Sequence, residues 1–395
     1  MAESNMIRID PKTRKLREIG IGMLGYGFMG KMHSTAYIKI PFQTDWAPAK
    51  PVLVAMCGRD EEKVRNAALR YGYQGYYTRW QDLVSDPKIE IFDNCGPDFM
   101  HCDPCIAAAE AMKHIVCEKP FAVTTEDARR IVLAVRKTGV KNMCGFNYRF
   151  IPAIRLARQL IEQGVIGQVC SFNGKYLQEW GHDPRTPLEQ VWYTAGKRTG
   201  VMLGIGSHLL DLARYLVGEV NAVTGKVKTF NTRRKNLKGL EEEITTDELD
   251  AGILEFQNGA IGIIQASAIS TGRKNSLSWE ITGSKGSLVF NLEDLNHLQV
   301  YVEDTESKDI PGFRNVSVTE FHHPYAKMAW APGHIVGWET AIIYELFHFV
   351  DAVVNDKPIG PDAATFEDGY KVQYLMDALK ESSEAGKKMK VEYGI

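Results

Sequence analysis

The chain has 395 residues, more than one hydrophobic core of ordinary size holds, so two domains are expected. With 44% apolar residues, 24% charged residues and a formal net charge of -2, it reads as a globular protein without the basic bias that nucleic acid would need. No run nears the ~18 apolar residues that cross a bilayer, and no apolar signal stretch follows the basic Lys12, Arg14, Lys15 and Arg17. A cytoplasmic protein with neither membrane nor nucleic acid as partner is expected.

Seven cysteines is an odd number, which fits free thiols in a reducing compartment. Cys95, Cys102, Cys105 and Cys117, with His101 nearby, contain a single C-x-x-C pair. Without a second spaced pair this is a weak zinc signature, and no metal site is expected.

In chain order, residues 19–24 read as a short buried strand, followed by a glycine turn and a helix to about residue 40. Strands over 52–57, 89–94, 115–117 and 142–146 then alternate with helices over 61–71, 101–112 and 125–137. Short apolar strands alternating with helices imply βαβ units and a parallel sheet, so residues 1–147 are expected to form a Rossmann domain in an α/β protein.

Residues 148–395 have a different rhythm and read as an α+β substrate-binding and oligomerisation domain. A helix over 152–163, a strand over 169–176 and a helix over 206–217 come first. Extended segments over 223–230, 249–256, 260–270, 277–283 and 287–290 follow, joined by the turn sequences Asn258-Gly259 and Gly283-Ser284-Lys285-Gly286. They predict an open, mostly antiparallel sheet whose apolar face pairs with another subunit, hence a homo-oligomer. A long stretch over 304–337 is rich in His322, His323, Tyr325, Trp330 and His334, and long aromatic loops of this kind are usually functional. Amphipathic helices over 338–354 and 363–385 close the chain and are able to pack back on the first domain.

Gly25-Tyr26-Gly27-Phe28-Met29-Gly30 is a G-x-G-x-x-G placed after a strand and before a helix, the context a dinucleotide fingerprint requires. Gly25 permits the tight turn, Gly27 lets the backbone approach a pyrophosphate, and Gly30 lets helix and strand pack closely. The second strand ends in Gly58-Arg59-Asp60; Asp60 suits ribose hydroxyls, while Arg59 suits a 2'-phosphate, so NAD is favoured and NADP is not excluded.

Glu118-Lys119-Pro120 follows the 115–117 strand, at the sheet edge where ligands bind. A lysine there either takes a hydroxyl proton, if a partly dry pocket lowers its pKa, or is an exposed loop residue. His208 and Asp211 are three apart and share a helix face, as a proton carrier with a sugar-binding carboxylate or as a packing pair.

These features occur together with His33, Phe146-Asn147-Tyr148-Arg149 before Pro152, and Ile281-Thr282-Gly283-Ser284-Lys285-Gly286. On them the chain resembles the Gfo/Idh/MocA oxidoreductases along nearly its whole length. The resemblance implies that Lys119 and His208 manage the proton and that Asp211 and Arg149 hold the substrate. It implies cofactor contacts from Gly25, Gly27, Phe28, Met29, Gly30, Arg59, Asp60, Pro97, His101, Glu118, Lys119 and Asn147.

One departure stands out. Many members of the family carry an aspartate four residues before the histidine, where this chain has Gly204; Glu179, His182, Asp183 and Arg185 are candidate replacements. Gly272-Arg273-Lys274-Asn275 and the loop from His322 to His334 resemble the branch that oxidises sugars or glycosides at C3. That adds Tyr325 and His334, beside His182 from the replacement candidates, to the expected substrate contacts. An NAD-dependent sugar dehydrogenase giving a 3-keto sugar is therefore expected, with an inositol or polyol dehydrogenase, a cofactor-binding regulator and a zinc-dependent lyase as rivals.

Overall fold

The computed structural model describes residues 16–191, 200–303, 309 and 311–395; Lys12, Arg14 and Lys15 lie outside them. Strands β1 (Glu18–Leu24), β2 (Lys50–Cys57), β3 (Gly75–Tyr77), β4 (Ile91–Asn94), β5 (His114–Cys117) and β6 (Asn142–Cys144) form one parallel sheet in the order 3-2-1-4-5-6. Helices α1 (Phe28–Gln43), α2 (Glu61–Tyr71), α3 (Trp80–Ser85), α4 (Cys102–Glu110) and α5 (Thr125–Thr138) lie among these strands in sequence. This is the doubly wound order of a dinucleotide-binding fold, and its strand order reverses between β1 and β4.

Local chemistry sets the helix ends. The Asp60 carboxylate accepts the Lys63 amide proton at the start of α2, Thr124 caps α5 through the Asp127 amide, and both helices end on a glycine in the left-handed region, Gly72 and Gly139. Strand β3 and helix α3 carry no periodic signal in the sequence; β3 is a three-residue edge strand held by its main chain against β2.

The rest of the chain builds a nine-stranded sheet around helices α6 (Pro152–Glu162) and α7 (Ser207–Val217). Its strands are β7 (Val169–Leu177), β8 (Val220–Lys228), β11 (Leu249–Phe256), β12 (Ile261–Ser267), β13 (Ser276–Gly283), β14 (Gly286–Asn291), β15 (His297–Val302), β16 (Arg314–Ser317) and β17 (Met389–Lys390). The strands run 16-15-14-13-7-12-11-8-17, antiparallel everywhere except between β7 and β12. A separate ribbon pairs β9 (Arg233–Lys235) with β10 (Glu241–Glu243). The expected sheet is thus found, extended by β15, β16 and β17, and mixed at its centre.

Helices α8 (Glu339–Val354) and α9 (Phe366–Ala385) return to the first sheet, α8 against α1 and α9 against α5, while α9 also covers β8. A reciprocal cap starts α9: Thr365 accepts the Asp368 amide and the Asp368 carboxylate accepts the Thr365 amide. The outer face of the large sheet exposes Ile253, Ile261 and Ile263, with Ile253 paired across from Ile263.

Gly30 sits where α1 leaves the turn, and a Cβ built on it would lie 2.2 Å from the Gly25 carbonyl oxygen, which is main chain and cannot swing aside. Gly30→Ala is therefore expected to destabilise the fold by about 1–3 kcal/mol, the usual overpacking range. Equilibrium urea unfolding measures this, and an unchanged midpoint contradicts the packing role.

Candidate active site

At the carboxyl ends of β1, β2, β4 and β5 the structure opens into a cleft of about 1660 Å³. Of the expected residues, Gly25, Gly27, Phe28, Met29, Arg59, Asp60, Pro97, Glu118, Lys119, Asn147 and His208 line it.

The cofactor half meets the demands of a dinucleotide. Gly25 holds φ 102° and donates its amide to the Cys57 carbonyl at 2.9 Å, and a Cβ there would meet the Cys95 carbonyl at 2.5 Å. A Cβ on Gly27, by contrast, would meet nothing within 4 Å; it would project into open space at the N-terminus of α1, where an anion is favoured. The buried Asn147 Nδ2 has no hydrogen-bond partner in the protein, leaving a donor in the cleft wall for a ligand. Asp60, besides capping α2, pairs with Lys63 Nζ at 3.0 Å.

Two of the expected cofactor residues lie behind the wall. Gly30 is buried under the turn. His101 is buried with Nδ1 2.9 Å from the Pro120 carbonyl and Nε2 3.1 Å from the Gly96 carbonyl, so it ties the loop after β4 to the loop carrying Lys119 and does not line the cleft.

Lys119 and His208 meet at the middle of the cleft. Lys119 Nζ donates to the Gly204 carbonyl at 2.9 Å; burial lowers its pKa, opposed by Glu118 and Cys144. Gly204 belongs to a π turn, Met202–Gly206, that precedes α7, where the sequence predicts only the start of a helix; such widened turns are frequent at functional sites. His208 packs its ring on Tyr148 with centroids 4.3 Å apart and edge-on to Phe146 at 5.8 Å. Its Nδ1 is buried without a partner, and burial, then the charge of Lys119, push its pKa well below the ordinary 6.5.

The remaining expected substrate residues lie off the cleft wall. Arg149 and Asp211 do not line the cleft: they form a buried ion pair with each other, Nη2 to Oδ1 at 2.5 Å and Nε to Oδ2 at 2.9 Å. Tyr325 accepts from Arg155 Nη2 at 2.7 Å and stacks on Tyr344. His182 and His334 are exposed and face the carbonyls of Glu179 and Ala331. None of these five lines the cleft. Nor do Glu179, Asp183 and Arg185, so among the described residues the position expected to carry a carboxylate is served by the Gly204 main chain.

The substrate half is built from residues not singled out as contacts: Tyr148, Tyr176, Gln178, Trp180, Asn275 and Trp338. The available signal was the recurrence of Tyr176, Gln178 and Trp180 at every second position leaving β7, which puts them on one side of an extended chain.

A doubly wound sheet with a glycine turn, an anion-facing helix end and a dry lysine beside a neutral histidine defines a nicotinamide-dependent oxidoreductase. Residues 19–146 match the model described as "Oxidoreductase family, NAD-binding Rossmann fold", and residues 154–289 match the GFO/IDH/MocA C-terminal domain. Levoglucosan dehydrogenase of Pseudarthrobacter phenanthrenivorans is 36% identical over 382 residues, 93% of this chain and 97% of its own. A solved structure of levoglucosan dehydrogenase with NADH and levoglucosan superposes with a TM-score of 0.89 at 36% identity, covering 95% of this chain and 100% of that one. Myo-inositol 2-dehydrogenase of Thermotoga maritima is 25% identical over 377 residues, 94% of this chain and 98% of its own. The chain belongs to the GFO/IDH/MocA family of oxidoreductases; it is an enzyme acting on CH–OH groups with NAD as cofactor. Among the described residues no helix is long and apolar enough to cross a membrane.

Two outcomes follow from this geometry. Because the Gly27 side-chain position is open, Gly27→Val should fold with a wild-type melting temperature yet lose NAD binding by calorimetry; retained affinity refutes the turn as the pyrophosphate site. Removing one partner of a buried ion pair strands the other, so Asp211→Ala should lose about 3–5 kcal/mol of stability. A higher KM at unchanged stability would instead return Asp211 to the substrate.

Proposed function

We propose that the enzyme oxidises a secondary hydroxyl of a sugar, at C3 of a pyranose or glycoside, to a 3-keto sugar. The observation that carries this reading is that Lys119 and His208 stand where the glycine-turn half of the cleft joins a half walled by Tyr148, Tyr176, Trp180 and Trp338. Aromatic faces suit the C–H faces of a pyranose, and the wall's hydroxyl and amide groups suit its oxygens. Relatives named for levoglucosan and for inositols support a cyclic polyhydroxy substrate.

Bound NAD supplies the hydride acceptor at its nicotinamide C4. Lys119, held at Nζ by the Gly204 carbonyl and with a pKa lowered by burial, accepts the hydroxyl proton as a neutral amine. His208 stays neutral beside it, and Nδ1 offers the next proton-holding position towards the cleft. Asn147 and the turn at Gly27 orient the nucleotide, while the aromatic wall excludes water from the sugar side. The exposed Ile253, Ile261 and Ile263 supply an apolar sheet face for a second subunit.

The sign of the pH dependence follows from the base. A protonated lysine cannot take a proton, so kcat/KM should rise with pH through a limb lying below the ordinary lysine value of 10.5. Lys119→Arg, which keeps its proton throughout, should bind NAD but turn over about 10²–10⁴-fold more slowly. Steady-state pH profiles test both statements, and near wild-type turnover of the variant removes Lys119 from the reaction. Without a carboxylate at position 204, an aryl glucoside should exceed myo-inositol in kcat/KM, and NMR of the product should place the carbonyl at C3. Preference for myo-inositol, or oxidation at C1 or C6, refutes the C3 reading.

A further inference from the structure

Six side chains of the substrate half form one hydrogen-bonded chain across four segments of the fold, and its direction is fixed from both ends. Trp180 Nε1 lies 2.6 Å from Gln178 Oε1, Gln178 Nε2 lies 2.6 Å from Asn275 Oδ1, and Tyr176 Oη lies 2.7 Å from the same Asn275 oxygen. Tyr148 Oη lies 2.8 Å from Tyr176 Oη, and Trp338 Nε1 lies 3.3 Å from Tyr148 Oη. An indole N–H only donates. Trp180 therefore requires Gln178 to present its oxygen, which turns the Gln178 amide group towards Asn275 and makes the facing Asn275 atom the carbonyl oxygen. An acceptor at that position takes the Tyr176 proton. Tyr176, having given its proton away, can only accept from Tyr148, and Tyr148 in turn accepts from Trp338.

Neither phenol then has a proton left for a ligand. We infer that Asn275, entering from the loop before β13, is a positioning residue that makes both phenols of the cleft wall acceptors only, so that the wall selects substrates by hydroxyl donors beside the reacting carbon. A group at that place that can accept but not donate, such as fluorine, an ether oxygen or a carbonyl, finds no partner there. This rests on the sugar reading above and specifies it: the substrate offers O–H donors to the Tyr148 and Tyr176 side of the cleft.

The test uses the full-length enzyme with saturating NAD and glucose, methyl glucoside and their monodeoxy and monodeoxyfluoro analogues at each non-reacting position. At one position at least, the deoxy and the deoxyfluoro analogue should lose kcat/KM alike, by about tenfold, because neither donates. If at every position where the deoxy analogue loses activity the fluoro analogue keeps it, the wall donates and the inference is overturned, as it is by equal turnover of all analogues. Asn275→Leu frees the Tyr176 proton, so it should raise KM for the parent sugar with the KM for NAD unchanged and should narrow the gap between parent and fluoro analogue. Asn275→Asp keeps an acceptor oxygen and should restore the wild-type discrimination, read on the plateau of its pH profile. If Asn275→Leu discriminates as the wild type does, the inference fails while the sugar reading stands. If the wild-type enzyme oxidises no pyranose at all, the sugar reading fails and this inference with it.

Discussion

The hydrogen bond from Lys119 Nζ to the Gly204 carbonyl joins the loop after β5 to the π turn before α7 and holds the amine in the cleft wall. Its chemistry suits a base. A main-chain carbonyl accepts an N–H from an amine and an ammonium alike but carries no full charge, so it anchors the side chain without reversing the pKa depression that burial produces. A carboxylate at this place would anchor Lys119 more strongly and hold it protonated. His208 answers to the same constraint: beside a buried lysine, and dry itself, its ring stays uncharged.

Behind Lys119 stands a second, fully buried group. His33 on α1 has Nδ1 2.9 Å from Asp93 and Nε2 3.1 Å from Glu118. A neutral imidazole donates from one nitrogen only, so donation to a carboxylate on each side requires the doubly protonated ring. Burial works against that charge, yet Asp93 and Cys95 hold the His33 pKa well above its usual value. Glu118, fixed on one oxygen by His33, accepts the Lys119 main-chain amide with the other at 3.0 Å and so sets the path of the loop. Cys95 with His33 and Asp93 has the composition of a metal site, but both His33 nitrogens already face carboxylates. Glu345 reaches the same region from α8; its carboxyl has no partner, and burial first and Glu118 second push its pKa well up.

Much of the framework was legible because its signals are local. The six parallel strands except β3, the glycine turn, the Glu118-Lys119 loop and the His208 helix each show in a few consecutive residues or one period. Strands β3, β16 and β17 escaped because edge strands are held by main-chain pairing that side-chain patterns do not report. Four of the expected residues that lie off the cleft wall share one feature. His101, Arg149, Asp211 and Tyr325 are polar residues with functional types and spacings, but each spends its groups on a partner distant in sequence, Pro120, Asp211, Arg149 and Arg155 respectively. Whether a charged side chain faces a cleft or a buried counter-ion depends on tertiary pairing, which spacing along one helix does not encode.

The return of the last two helices to the first sheet has the same logic. A cleft between two sheets keeps its shape only if the sheets are fixed to each other, and α8 on α1 and α9 on α5 do this with apolar surface, independently of any ligand. The contact also reaches the chemistry. Trp338, at the N-cap of α8, stacks on Phe28 with ring centroids 5.9 Å apart and donates to the Tyr148 hydroxyl, so one indole touches both the glycine turn and the sugar-side wall. Phe28 itself is 67% exposed, an unfavourable place for a phenylalanine unless something covers it. Its position within the fingerprint, facing the cleft, makes the nucleotide or the sugar ring that cover. The exposed aromatic and the glycine before it are then two parts of one ligand surface, apolar for a ring and open for an anion.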